Sequence, residues 1–283
     1  LQMPLFFLIS GYLAGAGTKI LDPAQYRDRM RRRAAAYLLP FFSWLAVQHI
    51  TYVPRAVCTV LFQLDYGLWF LMVLFLFTWL AYTAQLMQGK VKREWGFWLV
   101  FLGGGALILL AYLAGVTFLS PSLLVVYLPY YTAAYFCGSH PEFIRKWMPE
   151  GIRRAGAYAG GAVFLVMAVL LDLVTVTGIT MLGIQTLASF LGCAAVIQAV
   201  LDWRSRRAGK WLARLGRYTL EIYVLHYHFA AILAPYKTCS VFWSASGLLY
   251  CLTAFAVMSL ITAVAIGIIS QIRWFRLFLF GRQ

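Results

Sequence analysis

The stretch Tyr26–Pro40, YRDRMRRRAAAYLLP, sets five arginines (Arg27, Arg29, Arg31, Arg32 and Arg33) directly ahead of an apolar segment that opens at Tyr37. The chain around it is 63% hydrophobic, with a mean hydropathy of +0.78. In such a chain a basic cluster tells which end of a span stays in the cytoplasm, because Lys and Arg flanking a span are retained there. The cluster has a second reading as an anion site. In that reading the N–H groups and positive dipole end of a helix opening at Tyr37 face an anion held by the guanidiniums. The residues alone leave both open.

Outward from this stretch, the composition excludes a soluble domain. With 12% charged and 17% aromatic residues, the apolar runs are too long and too numerous for one globular core. A span needs about 20 apolar residues to cross ~30 Å of hydrocarbon. Nine segments qualify: 3–16, 37–53, 67–88, 95–117, 121–138, 155–176, 179–201, 218–235 and 243–272. The expectation is an all-α, polytopic transmembrane bundle forming one domain across residues 1–283.

The net charge of +15 does not point to nucleic acid, because the cations sit in short loops between the apolar segments. Of the 24 lysines and arginines, 22 fall before span two, in loops 89–94, 139–154 and 202–217, or in the tail. The alternate loops hold only Arg55 and Lys237. This partition predicts nine spans and a cytoplasmic C-terminus. Nine spans then put Leu1 outside, so one further span is expected upstream.

Ionisable side chains inside spans cost a few kcal/mol and are candidates for function. Five stand out: His49, Asp172, Glu221, His226 and His228. Span eight carries three of them, with His226 ~14 Å in from Arg217 and Glu221 only ~6 Å in, within reach of the interface. Glu221 and His228 share a helix face. His226 lies ~140° from Glu221 and ~160° from His228, so one straight helix cannot aim both histidines at one pocket. His49 and Asp172 fall in outer halves of their spans. No metal-ligand spacing, paired carboxylates or Ser/His/Asp order is present. The five cysteines read as small apolar residues, and only Cys58 and Cys239 fall in outside loops where a disulfide persists. Gly103–Gly105 and the Gly156/Gly160 pair read as close helix packing. The tail SQIRWFRLFLFGRQ, mixing arginine with Trp and Phe, reads as an interfacial anchor.

Four stretches carry a family resemblance: MPLFFLISGYLAG at the start, the basic run ending in LLPFF, GLWFLMVLF (Gly67–Phe75) and GRYTLEIYVLH (Gly216–His226). In order and spacing they resemble the acyltransferase-3 family of integral-membrane O-acyltransferases, over essentially the whole chain. The resemblance implies transfer of an acyl group, often acetyl, from a cytoplasmic acyl-CoA to a hydroxyl of a cell-envelope glycan or related acceptor, in a bacterial inner membrane. Acyl-CoA enters as a donor substrate, with no permanently bound cofactor or metal.

The resemblance also implies roles. Arg33 matches the first arginine of the family's R-x-x-R pair, while the second falls on Ala36, leaving Arg29 and Arg32 as neighbours that would serve the donor phosphates. His226 matches the histidine of the I-Y-x-x-H run and, with Glu221, is the catalytic candidate of span eight. Trp69 matches the L-W-F motif and, with His49 and Asp172, is a candidate for substrate contact. The family's catalytic base lies on a preceding helix, which is the span expected upstream. A glycan-precursor transporter or flippase shows the same polar middle and basic loops, and an inactive fragment is the remaining alternative.

Overall fold

A computed structural model describes residues 2–64, 68–170, 179–203, 206–233 and 245–281. Every regular element among them is helical: α1 (Gln2–Ala16), α2 (Pro23–Gln48), α3 (Val53–Phe62), α4 (Trp69–Val91), α5 (Glu94–Leu113), α6 (Pro121–Ser139), α7 (Pro141–Trp147), α8 (Glu150–Leu170), α9 (Ile179–Asp202), α10 (Arg206–Arg217), α11 (Thr219–Leu233), α12 (Ala245–Gln271) and α13 (Arg273–Phe280). Helices are what apolar segments must form in lipid, where every backbone N–H and C=O needs a partner within its own segment. Five are long and apolar enough to cross a membrane: α4, α5, α8, α9 and α12.

The helices form two compact units. The first holds residues 1–34 and 52–204, and the second residues 35–51 and 205–283. Helix α2 contributes to both, with its arginine-rich start in the first unit and its LLPFFSWL part in the second.

In the first unit α4 is the buried hub, with 61% of its apolar stretch covered by protein against 17% for α5. The unit's main seam joins α1 to α6. A Cβ at Gly11 would overlap the Tyr131 carbonyl oxygen, one at Gly15 that of Tyr135, and one at Gly138 that of Tyr12. Backbone thus lies against backbone, the close approach that small residues allow between helices in lipid. Aromatic rings fill the space beside this seam. Phe7, fully buried, stacks on Tyr127 at 4.8 Å and meets Phe77 edge-on at 5.5 Å. Phe97 stacks on Tyr135 at 4.5 Å.

Helices α8 and α9 form a hairpin whose start and end are tied by one carboxylate. Asp202 accepts hydrogen bonds from Arg154 (2.8 Å), Tyr158 (3.0 Å) and Gln198 (3.1 Å). The glycines singled out in the sequence behave unevenly. Gly104 faces the end of the Leu80 side chain and Gly160 that of Leu191, while Gly103 and Gly156 face open space.

In the second unit α11 packs on α12 and α13. The short α13 is docked rather than only interfacial. Trp44 Nε1 donates to the Leu279 carbonyl at 3.0 Å, Phe280 is buried, and Gly281 (φ +65°) sits against the Ala36 backbone.

Two expectations change. The arginine run does not precede a helix opening at Tyr37; it lies inside α2, which starts at Pro23. The reason is local. Proline is favoured at a helix's first position, and Arg, Met and Ala are strong helix formers. Helices α3, α7 and α10 also occupy stretches read as loops.

Candidate functional site

In the first unit the arginines form a ridge on α2. At ~100° per residue, Arg29, Arg32 and Arg33 occupy ~100° of arc, so they share a face. The ridge is built onto α4. Tyr26 accepts a hydrogen bond from Trp79 Nε1 (3.1 Å) and lies 3.3 Å from the Thr83 hydroxyl. Arg33 Nε donates to the Tyr82 hydroxyl at 3.3 Å. Arg29 donates to the Thr18 carbonyl at 2.5 Å, and Arg32 pairs with Asp28 at 3.0 Å on an exposed surface. Arg32 and Arg33 are exposed. Because these residues sit inside the helix, the N-terminal N–H groups of α2 are one to two turns away from them. The anion reading therefore rests on guanidiniums alone, not on the helix end.

The connection ahead of this ridge is held by a residue the sequence reading passed over. Gln85, 1% exposed, accepts from the Ile20 N–H at 3.2 Å and donates to the Tyr135 hydroxyl at 3.1 Å and the Ala14 carbonyl at 3.4 Å. Leu21 lies over Gly89 so closely that a Cβ there would be 2.9 Å from its backbone. The signal is present in the sequence, since an amide in an otherwise apolar span needs partners. Beside it lies a shallow pocket lined by Lys19, Gln88, Glu94, Trp98, Tyr135 and His140. Glu94 there is 3.4 Å from His140 Nε2 and 4.0 Å from Lys19 Nζ.

Trp69 opens α4 and stacks on Tyr127 at 5.2 Å, which in turn stacks on Phe7. It is half-buried, one end of an aromatic row.

In the second unit Glu221 and His226 both belong to α11. Glu221 is 2% exposed, enclosed by protein rather than open on the surface of the helix. His226 is half-buried beside Tyr223, with ring centroids 5.7 Å apart. Its Nδ1 lies 2.9 Å from the Ile222 carbonyl one turn back. A carbonyl only accepts, so Nδ1 donates in this contact, and Nε2 is the ring nitrogen that the Ile222 carbonyl does not engage. Arg276 on α13, part of the tail expected as an interfacial anchor, has a buried Nε without a hydrogen-bond partner among the described residues.

His49 follows the last turn of α2 and is exposed. Asp172 and Cys239 lie outside the described residues, as does the side chain of His228; Cys58 is exposed. Among the described residues no group of His, Cys, Asp and Glu is arranged to hold a metal ion.

An all-helical chain with five membrane-length helices, a cationic ridge on one helix and a half-buried histidine on another is an integral membrane protein with polar sites built into its helices. The chain belongs to the acyltransferase-3 family: the family model, an acyltransferase domain, matches residues 2–270. No curated protein and no solved structure matches it. Family membership makes it a membrane acyltransferase.

Proposed function

We propose that the protein moves an acyl group, acetyl in the simplest case, from cytoplasmic acyl-CoA to a hydroxyl of a cell-envelope carbohydrate or related acceptor in a bacterial inner membrane. The observation that carries this reading is the family match, which runs through both compact units. In the reading the chain acts as one domain of nine spans with its basic loops and C-terminus in the cytoplasm.

The donor's phosphates belong to the arginine ridge. Guanidiniums bind phosphate oxygens through charge-assisted hydrogen bonds, and Arg29 and Arg33 are already oriented by Thr18 and Tyr82. In the transfer the acceptor oxygen attacks the thioester carbonyl carbon. A C–O bond forms, the C–S bond breaks, and the hydroxyl proton passes through a base to the departing thiolate. His226, with Nε2 as acceptor, is suited to hold the acceptor hydroxyl or relay its proton. Glu221, on another face of the same helix, is the second catalytic candidate, and Trp69, His49 and Asp172 are the candidates for contact with the acceptor.

Removing one phosphate contact costs about 1.5–3 kcal/mol. Arg33→Ala should therefore weaken coenzyme A binding roughly ten- to a hundredfold by calorimetric titration of the detergent-purified chain. Unchanged affinity for Arg33→Ala and Arg32→Ala alike would reduce the ridge to a topology signal. His226→Ala should abolish acceptor acylation, read by mass spectrometry, at unchanged protein level.

A further inference from the structure

Helix α10 carries a pattern that acyl transfer does not use. At ~100° per residue its five cations, Arg206, Arg207, Lys210, Arg214 and Arg217, fall within ~100° of arc. The register positions of Ala208, Trp211, Leu212 and Leu215 fill an arc of the same width on the opposite side. The helix has no acidic residue. Lys210 and Arg214 are exposed and form no ion pair among the described residues, while Leu212 and Leu215 remain 40% and 37% exposed. The contrast with α13 in the same unit is informative. That helix is also basic and aromatic, but its Phe280 end is covered by protein. On the apolar arc of α10, Leu212 and Leu215 have no such cover.

A helix with a cationic face opposite an apolar one fits an interface between acyl chains and anionic headgroups. A soluble polyphosphate would need only the cations. The apolar arc selects the bilayer. We infer that α10 docks on the anionic phospholipid surface of the leaflet it faces, and that this contact holds the entrance to α11, which follows at Thr219 and carries Glu221 and His226. The cytoplasmic side of that leaflet rests on the orientation proposed above; the docking itself does not.

The test uses the full chain, with its five cysteines replaced and a spin label at Leu215→Cys, in vesicles of phosphatidylcholine alone or with phosphatidylglycerol. Docking predicts that the label becomes accessible to oxygen and shielded from a water-soluble relaxant when phosphatidylglycerol is present. Each cation near an anionic surface favours docking about fivefold, so Lys210→Gln with Arg214→Gln should lower the docking equilibrium about 25-fold. Hydrogen exchange of residues 206–217 in the unaltered chain, in nanodiscs of the same two compositions, gives the same comparison without cysteine replacement. A label equally water-exposed in both lipids, or shielded only on adding coenzyme A, overturns the inference. Both leaflets of these vesicles are alike, so the result is independent of sidedness. Orientation fails separately if an impermeant thiol reagent reaches Lys210→Cys in intact cells.

Discussion

At the scale of single residues, polar groups inside the bundle divide by whether their partners are internal. Gln85 has three, and they join the connection ahead of α2 to α4 and α6. Replacing it with Leu leaves the Ile20 N–H unpaired in a buried setting, at a cost of about 1–3 kcal/mol. Gln85→Leu should lower the thermal midpoint in detergent, and Gln85→Glu, which keeps the acceptor, should lower it less. Coenzyme A affinity should fall with Gln85→Leu too, because Arg29 leans on Thr18 in the same connection. Unchanged stability would mean that water replaces the amide. His226 is the opposite case. One ring nitrogen is occupied by its own helix, and the other is the one assigned to the acceptor in the proposed transfer.

At the scale of elements, the sequence was informative wherever hydropathy and chain direction agree, and silent where packing decides. Among the described residues all nine apolar segments hold helices, and five of these helices meet the length and hydropathy of a span. Helix α6 shows why. Its four tyrosines and Pro129 depress its hydropathy, yet Tyr130, Tyr131 and Tyr135 are buried against protein and need no affinity for lipid. The start of α2 was misplaced because the arginines were read as a loop, although Pro23 and the alanines favour helix. The family-like ISGY run was recognisable as a motif, but its physical reason, Gly11 against the Tyr131 backbone, appears only once α6 is in place. The arginine ridge was legible, and its dependence on Tyr26 and Tyr82 was not. Helix α13 offers a test at this scale. Gly281 has positive φ and a Cβ there would lie 2.5 Å from the Ala36 carbonyl oxygen, so Gly281→Val adds both strain and overlap. It should free the helix, seen as faster hydrogen exchange across residues 273–281 and a lower thermal midpoint. Unaltered exchange would show that Trp44 and Phe280 hold it without the glycine.

At the scale of the whole molecule, the partition of basic residues makes the proposed orientation testable loop by loop. In a cysteine-free chain, single cysteines at Lys92, Arg145 and Lys210 should react with an impermeant thiol reagent only after the cells are opened, while one at Arg55 should react in intact cells. A reversed pattern at any of the first three would break the nine-span reading at that loop. The seam between α1 and α6 has a consequence at the level of the gene. Glycine codons share their first two bases, and only the third is free, so every nonsynonymous single-base change at Gly11, Gly15 or Gly138 brings in a side chain or a stop. Where backbone touches backbone there is no room for even a methyl. In a library of random single-base changes selected for stable protein, these three codons should retain third-base variation alone, while codons for lipid-facing leucines drift among Val, Ile, Met and Phe.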